Sequence, residues 1–135
     1  MIVVDASASL GWSFLDQQTP TLLELARRVI DHGACVPQLW PIEVAAVVVR
    51  THRRGKISQR ERDAILSKLA ALDVEVDEET AGRLWRATVD LAVKHGLSVY
   101  DATYLELALR KQLPFATLDD KLIVAARAEG LTVLP

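Results

Sequence analysis

Short β-branched runs recur along this chain, with longer stretches of helical apolar spacing between them. The runs lie at residues 2–4, 34–36, 74–76, 115–117 and 132–134. None of the intervening stretches is short enough for a hairpin. Strands joined this way must lie parallel, with helices as the crossovers. The helix punctuation agrees. Thr19 and Pro20 pair an N-cap with a proline at the first helical position, and Gly33 ends that helix. Pro41 opens the next helix and Gly55 closes it, while Ser58 and Glu61 have capping-box spacing. A further amphipathic helix carries Leu84, Trp85, Thr88, Leu91 and Ala92 and stops at Gly96. Ser98 caps the one after, Pro114 breaks it, and the last helix ends at Gly130. The expected fold is α/β, three-layered and flavodoxin-like, with a short central parallel sheet of about five strands flanked by about seven helices.

The chain has 135 residues and no linker, repeat or low-complexity tract, so residues 1–135 are expected to form a single domain. A formal net charge of −2 argues against a simple nucleic-acid clamp, which would be basic. It leaves room for a site of carboxylates that attracts phosphate once cations arrive. The single cysteine, Cys35, excludes an intrachain disulfide and reads as a small buried hydrophobe. Asp5 interrupts the apolar start, so no signal peptide is visible. No apolar run reaches the ~20 residues of a membrane helix. The expectation is a cytoplasmic protein with no membrane partner.

Four acids fall where this layout brings elements together. Asp5 ends the first strand, and Asp119 lies just past the strand at residues 115–117. Glu43 and Asp101 are placed in the first turns of helices, after Pro41 and Ser98. Strand ends and following helix starts share one rim of a parallel sheet. Singly, an acid in a first turn can simply complement the helix dipole, by about 0.3–1 kcal/mol, and Asp119 can simply cap its helix. Asp5 is harder to dismiss, because a lone carboxylate after a buried strand is costly unless hydrogen-bonded or metal-bound. Together, four crowded carboxylates raise one another's pKa, and a divalent cation is what relieves them. Oxygen ligands select a hard cation, Mg²⁺ or Mn²⁺. No histidine or cysteine has zinc-site spacing, and His32, His52 and His95 are not placed as general bases.

Four segments, VVDASASLGW from Val3, WPIEVAAVV from Trp40, LSVYDATYLELA from Leu97 and FATLDDKLIVAA from Phe115, make the chain strongly similar to the PIN-domain ribonucleases, in particular the VapC-type toxins. The resemblance implies a PIN-like fold and a metal-dependent endoribonuclease that inhibits translation by RNA cleavage. It implies a catalytic and metal-binding quartet of Asp5, Glu43, Asp101 and Asp119. Ser7 and Thr117 match hydroxyl residues that would orient carboxylates or water, or else are an ordinary cap and strand end. It also implies a cognate VapB-type antitoxin and a homodimer or toxin–antitoxin hetero-oligomer. One position departs from the pattern: Ala46 stands where many relatives have Asn. Asp120 adds a neighbouring acid, either solvated or an auxiliary ligand through water.

Arg50, Arg53, Arg54 and Lys56, with His52 among them, form the main basic cluster. They either hold RNA phosphates or complement a helix C-terminus. Trp12, Phe14, Trp40 and Trp85 are either core residues or part of a partner groove. Two rival enzymes fit poorly. A phosphoacceptor receiver needs a lysine after its last strand, where this chain has Leu134 and Pro135. A haloacid-dehalogenase-type phosphatase needs Asp-x-Asp, where this chain has Asp5-Ala6-Ser7. The remaining alternative is a non-catalytic PIN-like RNA- or protein-binding module.

Overall fold

A computed structural model describes all of residues 1–135. Strands β1 (Ile2–Val4), β2 (Ala34–Pro37), β3 (Val74–Asp77), β4 (Phe115–Ala116) and β5 (Val133–Leu134) form one sheet in the order β3-β2-β1-β4-β5. Every neighbouring pair is parallel, and Val3 of the central strand lies opposite Cys35 on one side and Phe115 on the other. The crossovers are α1 (Ala6–Ser13), α2 (Pro20–His32), α3 (Leu39–Arg53), α4 (Gln59–Ala70), α5 (Thr80–Arg83), α6 (Val89–His95), α7 (Val99–Lys111) and α8 (Asp120–Ala128). A π turn, Leu84–Thr88, joins α5 to α6 without breaking the helical backbone, so the helices make seven rods, as expected. This is the three-layer α/β fold read from the sequence.

Right-handed crossovers carry α1–α4 to one face of the sheet and α5–α8 to the other. The contacts follow that division: α1, α2, α3 and α4 pack on one another, and α6, α7 and α8 do the same. The core lies between them. Val3, Val4, Ala34, Cys35, Val36, Phe115 and Ala116 are fully enclosed, as strands covered on both faces must be. α7 is the inner helix of its layer, with every residue from 102 to 108 buried. α2 shows the opposite pattern and buries only the stripe Leu22, Leu25 and Val29.

The local punctuation is largely where the sequence puts it. Thr19, Ser58 and Ser98 each cap a helix through a side-chain oxygen, and the Ser58–Glu61 capping box makes both of its bonds. Two details differ. α3 begins at Leu39, before Pro41, because a proline in a first turn lacks only an N–H that would have no intrahelical partner. Glu43 therefore lies in the second turn. β4 ends at Ala116, although the Thr117 N–H still bonds to Leu134 O.

Gly96 closes α6 at φ +63°, and an added Cβ would meet nothing within 4 Å. Gly96→Ala should therefore cost only the left-handed backbone penalty, about 1–2 kcal/mol. A urea titration should show a lower midpoint with an unchanged slope.

Candidate active site at the carboxyl rim of the sheet

In an open parallel sheet, a crevice forms where consecutive crossovers leave in opposite directions. Here that point lies between β1 and β4, since β2 and β3 extend one way and β5 the other. Asp5 follows β1 and Asp119 follows β4. Glu43 comes in on α3 after β2. Asp101 sits in the first turn of α7, whose N-terminus lies at the same rim because α7 runs back towards β4.

Asp5 is 4% exposed. A buried carboxylate needs donors, and it has three. Its Oδ1 accepts from Ser7 Oγ at 2.7 Å and from the Ala8 N–H at 2.9 Å, and Thr117 Oγ1 donates to Oδ2. Both hydroxyls are themselves engaged from the other strand's loop. Ser7 Oγ accepts the Leu118 N–H, and Thr117 Oγ1 accepts the Asp119 N–H. Asp5 is thereby tied to the segment that carries Asp119. On the other side, Trp40 Nε1 donates to Ser9 Oγ, which donates to the Asp5 carbonyl, so α3 is tied to the end of β1.

The other acids are held more lightly. Tyr104 donates its hydroxyl to Glu43 Oε1 at 2.9 Å. Asp101 occupies the third position of α7, where its N–H bonds to the Ser98 cap. Asp119 caps α8 through Oδ1. Asp5 likewise caps α1, so three of the four acids face positive helix ends, which favours their charged forms. Crowding and burial oppose this. Burial raises the Asp5 pKa, three hydrogen bonds offset part of the rise, and the Asp101 charge adds to it. Burial raises Glu43, against its Tyr104 bond, and the charges of Asp101 and Asp5 raise it further. Burial and then the Asp119 charge raise Asp101. The four acids thus form one electrostatic unit.

The donor set suits a hard divalent cation: it contains only carboxylate oxygens, burial and neighbouring charge raise Asp5, Glu43 and Asp101, and no histidine or cysteine joins it. As the rotamers stand, no three His, Cys, Asp or Glu side chains are arranged to hold a metal ion. An ion would have to draw the acids inward. Glu43 and Asp119 each keep one oxygen that accepts no hydrogen bond from the protein.

Other residues singled out in the sequence lie elsewhere. Arg50, Arg53, Arg54 and Lys56 are exposed at the C-terminal end of α3, on the order of 15 Å along the helix from Glu43. His52 faces the Ile57 carbonyl, His95 pairs with Glu129, and His32 ends α2. Asp120 is exposed. Trp12, Phe14 and Trp40 are buried, whereas Trp85 is 88% exposed on the π turn. The core alternative therefore fails for Trp85, because a π turn adds a residue per turn and shifts which side of the helix faces inward. A cavity of about 840 Å³ is lined by none of the four acids. It runs between the end of α1 and helices α2, α3 and α4, and Trp12 and Phe14 form part of its wall. The sequence reading missed the contact of Tyr104 with Glu43. Its one local signal is that Tyr104 stands three residues after Asp101, on the same helix face.

The PIN domain family model matches residues 2–128. Solved structures similar to this one include PAE2754 from Pyrobaculum aerophilum, at 21% identity and a TM-score of 0.71 over 98% of this chain and 87% of that one. FitAcB from Neisseria gonorrhoeae aligns at 16% identity and a TM-score of 0.68, over 100% and 97%. VapC20 of Mycobacterium tuberculosis, described as a sarcin–ricin loop cleaving toxin, aligns at 20% identity and a TM-score of 0.60, over 100% of both chains. At these identities the likeness is one of fold. Among curated protein sequences, none matches.

A carboxyl whose folded pKa is raised binds its proton more readily in the native state. It therefore destabilises the fold as pH rises from the ordinary carboxylate value through the raised one. Asp101→Asn removes that penalty. Without added metal, the variant should melt a few degrees above wild type at pH 7. The gain should vanish below about pH 3, where the carboxyl is protonated in both states. Differential scanning calorimetry across pH checks this.

Proposed function

The chain belongs to the PIN domain family, and on that premise we propose that it is a metal-dependent endoribonuclease, the toxin of a toxin–antitoxin pair that inhibits translation by cutting RNA. The observation that carries this reading is the meeting of Asp5, Glu43, Asp101 and Asp119 at the switch point, where their charges act on one another. Such a cluster is costly to the fold and is accounted for by a cation. When bound, Mg²⁺ or Mn²⁺ would neutralise the acids and lend Lewis acidity to a phosphodiester and to water. The four carboxylates would hold the cation. Ser7 and Thr117 hold Asp5 by both of its oxygens, so the most buried acid also has the most hydrogen-bond partners. Arg50, Arg53, Arg54 and Lys56 would grip phosphates some way along the strand from the bond that is cut.

The cavity beside α1–α4 supports an antitoxin partner. Leu15 and Ile30 line it and are 77% and 65% exposed, an apolar surface suited to the apolar face of an amphipathic segment. Trp85, Val89 and Val93 form an exposed apolar stripe that a second copy would cover in a homodimer. One observation favours the alternative of a non-catalytic RNA- or protein-binding module, namely that no three acids are already arranged around a common point.

Cleavage assays separate the two readings. Purified protein freed of any inhibitor should cut RNA with Mg²⁺ or Mn²⁺ and stop on addition of EDTA. Asp5→Asn and Asp101→Asn should each lose about 100-fold or more in rate while keeping the native circular dichroism spectrum. Wild-type rates in both variants would refute the assignment. For the partner, Ile30→Asp should remain folded, because the side chain is exposed, yet no longer co-purify with a co-expressed antitoxin. Undiminished co-purification would remove the cavity as the docking site.

A further inference from the structure

α7 delivers two side chains to the rim. Asp101 and Tyr104 share one face of the helix. Tyr104 is 1% exposed, and its hydroxyl lies 2.9 Å from Glu43 Oε1, a partner 61 residues away in the chain. The two residues belong to helices on opposite faces of the sheet, so the bond bridges the helical layers across the carboxyl rim. Burial first, and then the charges of Glu43, Asp5 and Asp101, drive the phenol far above its ordinary pKa. In the contact itself the hydroxyl is the donor.

Glutamate has the longest side chain of these acids. Asp5 and Asp119 are positioned by caps that their own carboxylates make, and Asp101 is short and set on the backbone that the Ser98 cap holds. Glu43 has no such cap, since it lies in the second turn of α3, and its hydrogen bond comes from Tyr104. That bond takes Oε1 and leaves Oε2 open.

We propose that Tyr104 is the positioning residue for Glu43, fixing its carboxylate through Oε1 so that Oε2 is presented to the cation and phosphodiester. What Glu43 does once positioned rests on the ribonuclease reading above; the lock itself does not. Tyr104→Phe removes one oxygen and keeps the ring, so the core position stays filled.

The test is a mutant cycle read by Mn²⁺ titration calorimetry on the full chain, using wild type, Tyr104→Phe, Glu43→Ala and the double variant. Tyr104→Phe should weaken Mn²⁺ binding roughly 10-fold, the usual scale for losing a group that orients a ligand. In the Glu43→Ala background it should cost nothing further. An equal loss in both backgrounds, or none in either, would overturn the proposal. The lock has an independent readout in the side-chain carboxyl ¹³C resonance of Glu43 in metal-free protein. It should move in Tyr104→Phe while that of Asp119 stays in place. An unmoved Glu43 signal overturns the lock. A wild-type protein that binds no Mn²⁺ ends the ribonuclease reading, and the lock is then judged on the resonance alone.

Discussion

A buried carboxylate at the end of a central strand sets the terms for everything around it. Asp5 has almost no access to water, so its charge must be met by donors within the protein. Two of the three donors are hydroxyls that also accept from backbone on the far side of the switch point. Each hydroxyl does double duty. It satisfies Asp5 and holds the loop after β4 at a fixed distance from the end of β1. The spacing between Asp5 and Asp119 is therefore a consequence of satisfying one buried acid.

The rim is a balance of opposed electrostatic effects. The N-termini of α1, α7 and α8 present their positive ends and favour carboxylates. Burial and mutual repulsion push the other way, and for Asp5, Asp101 and Glu43 they win. The fold thus holds a group of anions that are less comfortable than they would be in water. Contrast the cluster at the end of β3, where Asp77 is buried but paired with Arg110, and its pKa is lowered. An acid with its own cation in the protein contributes to structure. Acids without one remain open to a cation from outside.

How much of this was legible depended on the range of the interaction. Asp5, Asp101 and Asp119 could be placed because each follows a local signal: the end of an apolar run, a serine cap, or the start of a helix. Glu43 was placed one turn out, because a proline marks a helix start only to within a turn. Tyr104 and Trp40 could not be assigned their partners, which lie 61 and 31 residues away. Trp85 read as inward-facing or groove-lining on a regular helical period, and the π turn breaks that period.

By itself the sequence determined the alternation of strands and helices, hence a parallel sheet, together with the caps and the local seats of Asp5, Asp101 and Asp119. These follow from chemistry acting over a few residues: apolar spacing, missing N–H groups, and side chains that reach their own backbone. Only the tertiary structure decided that β4 sits beside β1, so that crossovers diverge there and the four acids come to one rim. It alone decided that Tyr104 reaches Glu43 across the layers and that an apolar cavity opens beside α1–α4. Those outcomes depend on which distant surfaces pack together, and no short stretch of residues carries that information.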